Sequence, residues 1–350
     1  MSRKSSSSRT RTVVATLVVA VLAGGVLVIG TGTAAGKTAA KKQVRIALFV
    51  AIQSNPVEQA IINNVKAVAK ADGAVKVDVF DSNNSVPKEI ANCNDAIASG
   101  KYDAFALKAV AGPPLMKCAQ AAMKAGIPVV AFGNALGPNP NTAARQIPGL
   151  SGSVIELARI NGTTVAALTA AACKAKNANP CNVIYTYGPL AFDWASITRK
   201  YFTQTLKAKY PNIKIIASGL NNFDPNAART LTKSLVQTHS NVDVIASDGD
   251  LGAIGVVAGL KDVGKVPGKD VFVTGGAISN QGAGLIKSGA MFGSTCLMPA
   301  TEARTAAKLT IQAARHEKIA KPDVEVCAAS SPTGNAPITK ANLSKFHPEW

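Results

Sequence analysis

Residues 246–255 read ASDGDLGAIG, and residues 119–131 read AQAAMKAGIPVVA. In the first, an apolar strand ends at Ser247 and a small-residue helix begins almost at once, with a carboxylate at its mouth. In the second, an amphipathic helix stops at Gly126 and Pro128 opens a buried strand. Both are junctions between strand and helix in a parallel sheet. Ligands of open α/β sheets gather outside the carboxyl ends of the strands, so these are rim sequences. They place the chain in the α/β class.

Working outward, the alternation holds on both sides. VRIALFVA from Val44 is a continuous apolar run of the kind buried on both faces of a parallel sheet. NPVEQAIINNVKAVAKADG comes next as a helix opened by Pro56 and closed by Gly73. VKVDVF, SVPKEIANCNDAIASG, DAFAL, PPLMKCAQAAMKAG and IPVVAF continue strand, helix, strand, helix, strand. A Gly/Pro/Asn-rich stretch at 133–153 breaks the rhythm. It restarts with a helix expected from Ser153, then CNVIYTY, a helix from Trp194, IKIIASG, a helix from Asp224, VDVIAS, a helix from Leu251, VFVTG, a short helix to Gly289, MFGSTCL, and a helix over 300–317. Two half-sheets of one pattern imply two Rossmann-like lobes, parallel sheets flanked by helices, with a cleft between them. The tail from Ser330 is turn-rich.

The first 43 residues stand apart. Arg3, Lys4, Arg9 and Arg11 precede an uncharged run from Val13 to Ile29, and GTGTAAG comes after it. This is a signal-peptide pattern over 1–35 with a linker over 36–43. Either the segment is cleaved after Ala35, or it is retained as an anchor. GTGTAAGKT lacks the spacing of a phosphate-binding loop and no strand precedes it. The expected location is outside the cytoplasm, in the periplasm or cell envelope. The formal charge is +18, but the lysines are dispersed, with no basic cluster interleaved with aromatics. Nucleic acid is not an expected partner.

Six cysteines in an exported chain point to disulfides. Fifteen connectivities are open, and the nearest-neighbour set, Cys93–Cys118, Cys173–Cys181 and Cys296–Cys327, is favoured. The three histidines are far apart, so no metal and no cofactor are expected. G-x-S-x-G, H-E-x-x-H and paired His and Cys are missing from the sequence, which argues against an enzyme.

From about Val44 to His316 the chain resembles the type 1 periplasmic binding proteins of the ribose and galactose cluster, the solute receptors of sugar-type ABC importers. The landmarks are Asn55-Pro56, Asp81, AGIPVV, Phe202 after Tyr187-Gly188, NNFDP, HSNVDVIASDGDLGAIG and the IKSG ending at Gly289. The resemblance implies two lobes joined by a three-strand hinge: 44–149 plus 298–325 in the N-terminal lobe, 150–297 plus 326–350 in the C-terminal lobe and tail. It implies capture of a small polar solute by lobe closure, an ABC permease as partner, and a monomer. The alternative is a sensor presenting its closed form to a membrane signalling protein.

Within the resemblance, Asn55 matches a polar contact, Phe223 an aromatic packed on the sugar ring, and Asp250 an acceptor of sugar hydroxyls. Elsewhere the pattern departs. Val57-Glu58 replaces an aromatic pair, Gly133-Asn134 an Asp-Arg, Thr198 an Arg, Ala277 an Asp and Leu297 a Gln. Deleting charged partners leaves hydroxyls unmatched. A simple pyranose in the usual pose is therefore not expected; a modified sugar or polyol is. Gln53, Glu58, Asn134, Trp194 and Asn222 remain as further polar contacts, and Phe192 and Trp194 join Phe223 as a stacking surface. Each has a plainer reading too. Asp250 and Asn55 suit helix caps, Glu58 a first-turn charge, Phe223 a hydrophobic staple and Trp194 core packing.

Overall fold

The computed structural model describes residues 41–350; the expected leader, and the linker up to residue 40, lie outside the described residues. The chain runs β1 Val44–Val50, α1 Pro56–Asp72, β2 Val75–Asp81, α2 Val86–Ser99, β3 Ala104–Leu107, α3 Gly112–Lys124, β4 Val129–Gly133 and β5 Gly152–Ile155. It continues α4 Ala158–Ala175, β6 Cys181–Tyr187, α5 Asp193–Lys209, β7 Ile213–Leu220, α6 Pro225–Thr238, β8 Val244–Ser247, α7 Asp250–Asp262, β9 Phe272–Thr274, α8 Asn280–Ser288 and β10 Gly293–Ser294. Last come α9 Pro299–Ala314, β11 Asp323–Glu325, α10 Val326–Ser330 and β12 Ile338–Thr339.

The apolar run of β1 shows why the sheet needs helices on both faces. Ile46, Leu48 and Val50 pack with Ile61 and Val65 of α1 and Ala303 and Ala307 of α9. The alternate residues Ala47 and Phe49 pack with Cys93 of α2 and Leu115 and Ala119 of α3. Each large side chain so buried contributes about 1.5–3 kcal/mol. The helices are cut to length by local signals. The Asn55 side chain accepts from Val57 N–H at 2.9 Å and Pro56 takes the first turn, while Gly73 ends α1 at φ 79°.

Two six-stranded sheets result, in the orders β11-β5-β4-β3-β1-β2 and β12-β10-β9-β8-β6-β7. All pairs are parallel except β12 with β10. The chain therefore crosses between sheets after Ile155, between Ser294 and Pro299, and after Glu325. The helix expected from Ser153 is instead β5 followed by α4. Val154 and Ile155 are β-branched, fully buried, and hydrogen-bonded between β4 and β11, which shifts the first crossing beyond residue 149.

The disulfides Cys93–Cys118, Cys173–Cys181 and Cys296–Cys327 tie α2 to α3, α4 to β6, and the second crossing to the third. Cys327 lies in α10. Helices of the second lobe approach closely through glycine. A Cβ on Gly162 of α4 would lie 2.4 Å from the Thr198 carbonyl oxygen of α5. Thr198, fully buried under that contact, leaves no room for the arginine that the resemblance placed there.

Candidate functional site

The carboxyl ends of both sheets face one cavity of about 560 Å³. Lys108 follows β3, Asn134 follows β4, Glu156 follows β5, Asn222 and Phe223 follow β7, and Gly249 and Asp250 follow β8; all line it. Parallel strands put their ends on one rim, and each loop there delivers a side chain to the same space.

The wall from the first lobe is ionic. Lys108 Nζ is paired with Glu58 Oε1 from the first turn of α1, and both residues are buried. Glu302, from the first turn of α9, and Glu156 complete a group of three carboxylates about one ammonium. Burial alone would lower the Lys108 ammonium, but Glu58, Glu302 and Glu156 outweigh it and hold it above its ordinary range. Burial raises Glu302 to about 7, opposed by Lys108 and reinforced by Glu58. Burial, with Glu302 next in effect, also raises Glu156, whose carboxylate accepts the Met298 N–H at 2.6 Å. Gly133 is needed here for space. At φ 75°, a Cβ on it would meet Lys108 Cε at 2.6 Å, so the lysine stem occupies the volume of an aspartate side chain.

The wall from the second lobe is aromatic and amide-bearing. Phe192 and Phe223 meet edge to face at 6.4 Å, and Trp194 and Asn222 join them on the cavity lining. Phe223 adopts φ 52° and its N–H is held by Asn221 Oδ1 at 2.8 Å. Its ring lies across two glycines. A Cβ on Gly188 would sit 2.2 Å from it, and one on Gly249 3.2 Å. The ring thus sits close against the backbone at both positions.

Of the expected residues, Asn55, Glu58, Asn134, Phe192, Trp194, Asn222, Phe223 and Asp250 border the cavity. Gln53 does not: it sits exposed in the turn before the Asn55 cap, its main-chain oxygen accepting from Gln59 Nε2 at 2.5 Å. Asn134 spends its amide N–H on the Ala109 carbonyl at 2.8 Å. Asp250 departs furthest from its expected role. Its Oδ1 accepts from the Ser294 hydroxyl at 2.6 Å, and its Oδ2 from Ser279 N–H at 2.8 Å and Ser279 hydroxyl at 3.1 Å. Burial raises it to about 7 against those donors. Both oxygens thus brace the second lobe. Sequence reasoning missed Lys108, Glu156, Glu302, Gln281 and Trp350, all on the lining.

The two lobes also touch at the cleft. Asp193 N–H donates to the Val110 carbonyl at 3.0 Å, and Gly112 N–H to Asp193 Oδ2 at 2.7 Å. Behind them, Glu89 of α2 accepts the Val110 N–H at 2.9 Å and is raised by burial to about 8.

Residues 46–318 match the family model of the periplasmic binding protein domain. The galactofuranose-binding protein YtfQ of Escherichia coli (strain K12) is 30% identical over 101 residues, 28% of this chain and 31% of that protein, so the match spans less than a third of the relative. The ribose import binding protein RbsB of Bacillus subtilis (strain 168) is 23% identical over 235 residues, 67% of this chain and 70% of that protein. A solved ABC transporter solute binding protein from Bacillus halodurans C-125, with bound myo-inositol, superimposes with a TM-score of 0.72 at 16% identity, covering 89% of this chain and 100% of that one. That likeness is one of fold.

Proposed function

The chain belongs to the periplasmic binding protein family, and we propose that it is the extracytoplasmic solute receptor of an ABC importer, taking a small polyhydroxylated solute between its lobes. The observation that carries this reading is the cavity with an ionic wall on one lobe and an aromatic wall on the other. Its volume falls within the roughly 300–1,000 Å³ of small-molecule sites. A sugar or cyclic polyol has hydroxyls around its edge and C–H bonds on its faces. The Glu58, Lys108 and Glu302 groups suit the edge, and Phe192, Trp194 and Phe223 suit a face. Galactofuranose, ribose and myo-inositol, named for the similar proteins, all have that form.

Capture works by closure. The Asp193 bonds to Val110 and Gly112 exist only while the lobes meet, so a solute that touches both walls stabilises the closed form. The reading needs no bond-making step, only selective binding and release to a membrane permease.

The test is a calorimetric titration of the chain with D-ribose, L-arabinose, methyl β-D-galactofuranoside and myo-inositol, with the solute recovered afterwards. One of them is expected to bind saturably at one per chain and to return unaltered. At 100 times its dissociation constant it should add about 2.7 kcal/mol of apparent stability. Heat with none of the four, or a chemically changed solute, contradicts the reading.

A further inference from the structure

The segment beyond β12, which pairs with β10 in the second sheet, turns at Leu343–Lys345 against α8 and buries Phe346, 3% exposed. The last four residues, 347–350, run from there to the cleft and are held from both sides. The main-chain oxygen of Trp350 accepts from Asn280 N–H at 2.8 Å and from the Asn280 side-chain amide at 2.7 Å. Asn280 opens α8, in the second lobe. One residue earlier, Glu349 accepts from Thr301 N–H at 2.8 Å and from the Thr301 hydroxyl, with Arg304 at 3.4 Å. Thr301 and Arg304 belong to α9, which packs on β1 and α1 in the first lobe. A carboxylate at the mouth of α9 is favoured by the free N–H groups and the helix dipole there. Trp350 itself borders the cavity, and its indole N–H has no hydrogen-bond partner among the described residues.

We propose that Phe346–Trp350 is a strap that completes the solute site, and this rests on the cavity being that site. Trp350 is a fourth aromatic surface, against which a C–H face of a sugar or cyclic polyol lies. Glu349 is the catch: it joins a tail rooted in the second lobe to the first lobe, and does so only in the closed form. A tail serving merely to cover core residues would end its work at Phe346. Instead Glu349 bridges the cleft and Trp350 enters the cavity lining.

The chain has two tryptophans, Trp194 and Trp350, and both line the cavity. In a Trp194→Phe variant, emission reports Trp350 alone. Whichever of D-ribose, L-arabinose, methyl β-D-galactofuranoside or myo-inositol gives heat with the unaltered chain is titrated into that variant, and into Trp350→Ala and Glu349→Gln. The lone Trp350 emission is expected to change and to saturate with the heat of binding. Trp350→Ala is expected to bind roughly tenfold more weakly, or worse, with an unchanged melting temperature in the absence of solute. Glu349→Gln is expected to bind about two- to fivefold more weakly, since its bonds form only in the closed form. Solute binding as tight in Trp350→Ala as in the unaltered chain, with Trp350 emission indifferent to saturation, overturns the strap alone. Heat with none of the four solutes overturns the receptor reading and the strap with it.

Discussion

The two walls of the cavity are built by opposite means. The first lobe gathers charge: Glu58, Lys108, Glu156 and Glu302 come from four separate elements and are all buried. The second lobe gathers rings: Phe192 and Trp194 from the start of α5 and Phe223 from the loop after β7, all only half-buried. Charge must be fixed by the fold before a solute arrives, because an unpaired buried ion costs several kcal/mol. Rings need only be held in place, which two glycines and one Asn221 hydrogen bond accomplish for Phe223. The ionic wall is accordingly tied to stability, and the aromatic wall is freer to set affinity.

The sharpest way to break this contrast is Lys108→Met. Three carboxylates would lose the one ammonium among them, and the expected cost is about 3–5 kcal/mol of folding stability by urea denaturation. A loss under about 1 kcal/mol would show that the wall is not held by charge.

Next comes acidity. Glu89 lies behind the ionic wall, feels Glu58, and is raised from 4.5 to about 8 by burial. Its raised value means the folded chain holds a proton that the unfolded chain releases, so stability should fall as pH rises from about 5 to about 8 and level off above. Asp248, Asp250 and Glu302, each raised to about 7 mainly by burial, act in the same direction. Glu89→Gln should flatten part of that slope and stabilise the chain at pH 9 by up to about 3 kcal/mol. Thermal melts at pH 5 and pH 9 check it, and an unchanged slope would remove Glu89 from the account.

On the other wall, Phe223→Ala should weaken solute binding by about 1.5–2 kcal/mol, roughly ten- to thirtyfold, while leaving the pH slope untouched. The smallest effect is expected at the cleft contact. Asp193→Ala removes the acceptor of Gly112 N–H and should cost about 0.5–1.5 kcal/mol of binding, read by calorimetry, with folding stability unchanged. If Phe223→Ala costs more stability than affinity, the division between the walls fails.

The same contrast decided what the sequence revealed. The alternation of strands and helices was legible because apolar runs and glycine stops are local, and so was the aromatic wall, whose residues sit at strand ends beside recognisable rim motifs. Of the ionic wall, only Glu58 was. Glu156 was hidden inside a stretch read as helix, because Val154 and Ile155 reveal themselves as strand only once β4 and β11 flank them. Glu302 reads as an ordinary first-turn acid. Lys108 did leave a signal, a lone charge in the apolar run just after DAFAL. Gln53 and Asp250 show the converse. Both lie at the rim, yet one side chain is exposed and the other bonds to Ser279 and Ser294, and side-chain direction is not written in spacing.

X-ray scattering on the chain, alone and saturated with whichever solute gives heat, tests closure over the two walls most directly. The radius of gyration should shrink on saturation, and Asp193→Ala should shrink less. Equal dimensions with and without a solute that demonstrably binds would contradict capture by closure.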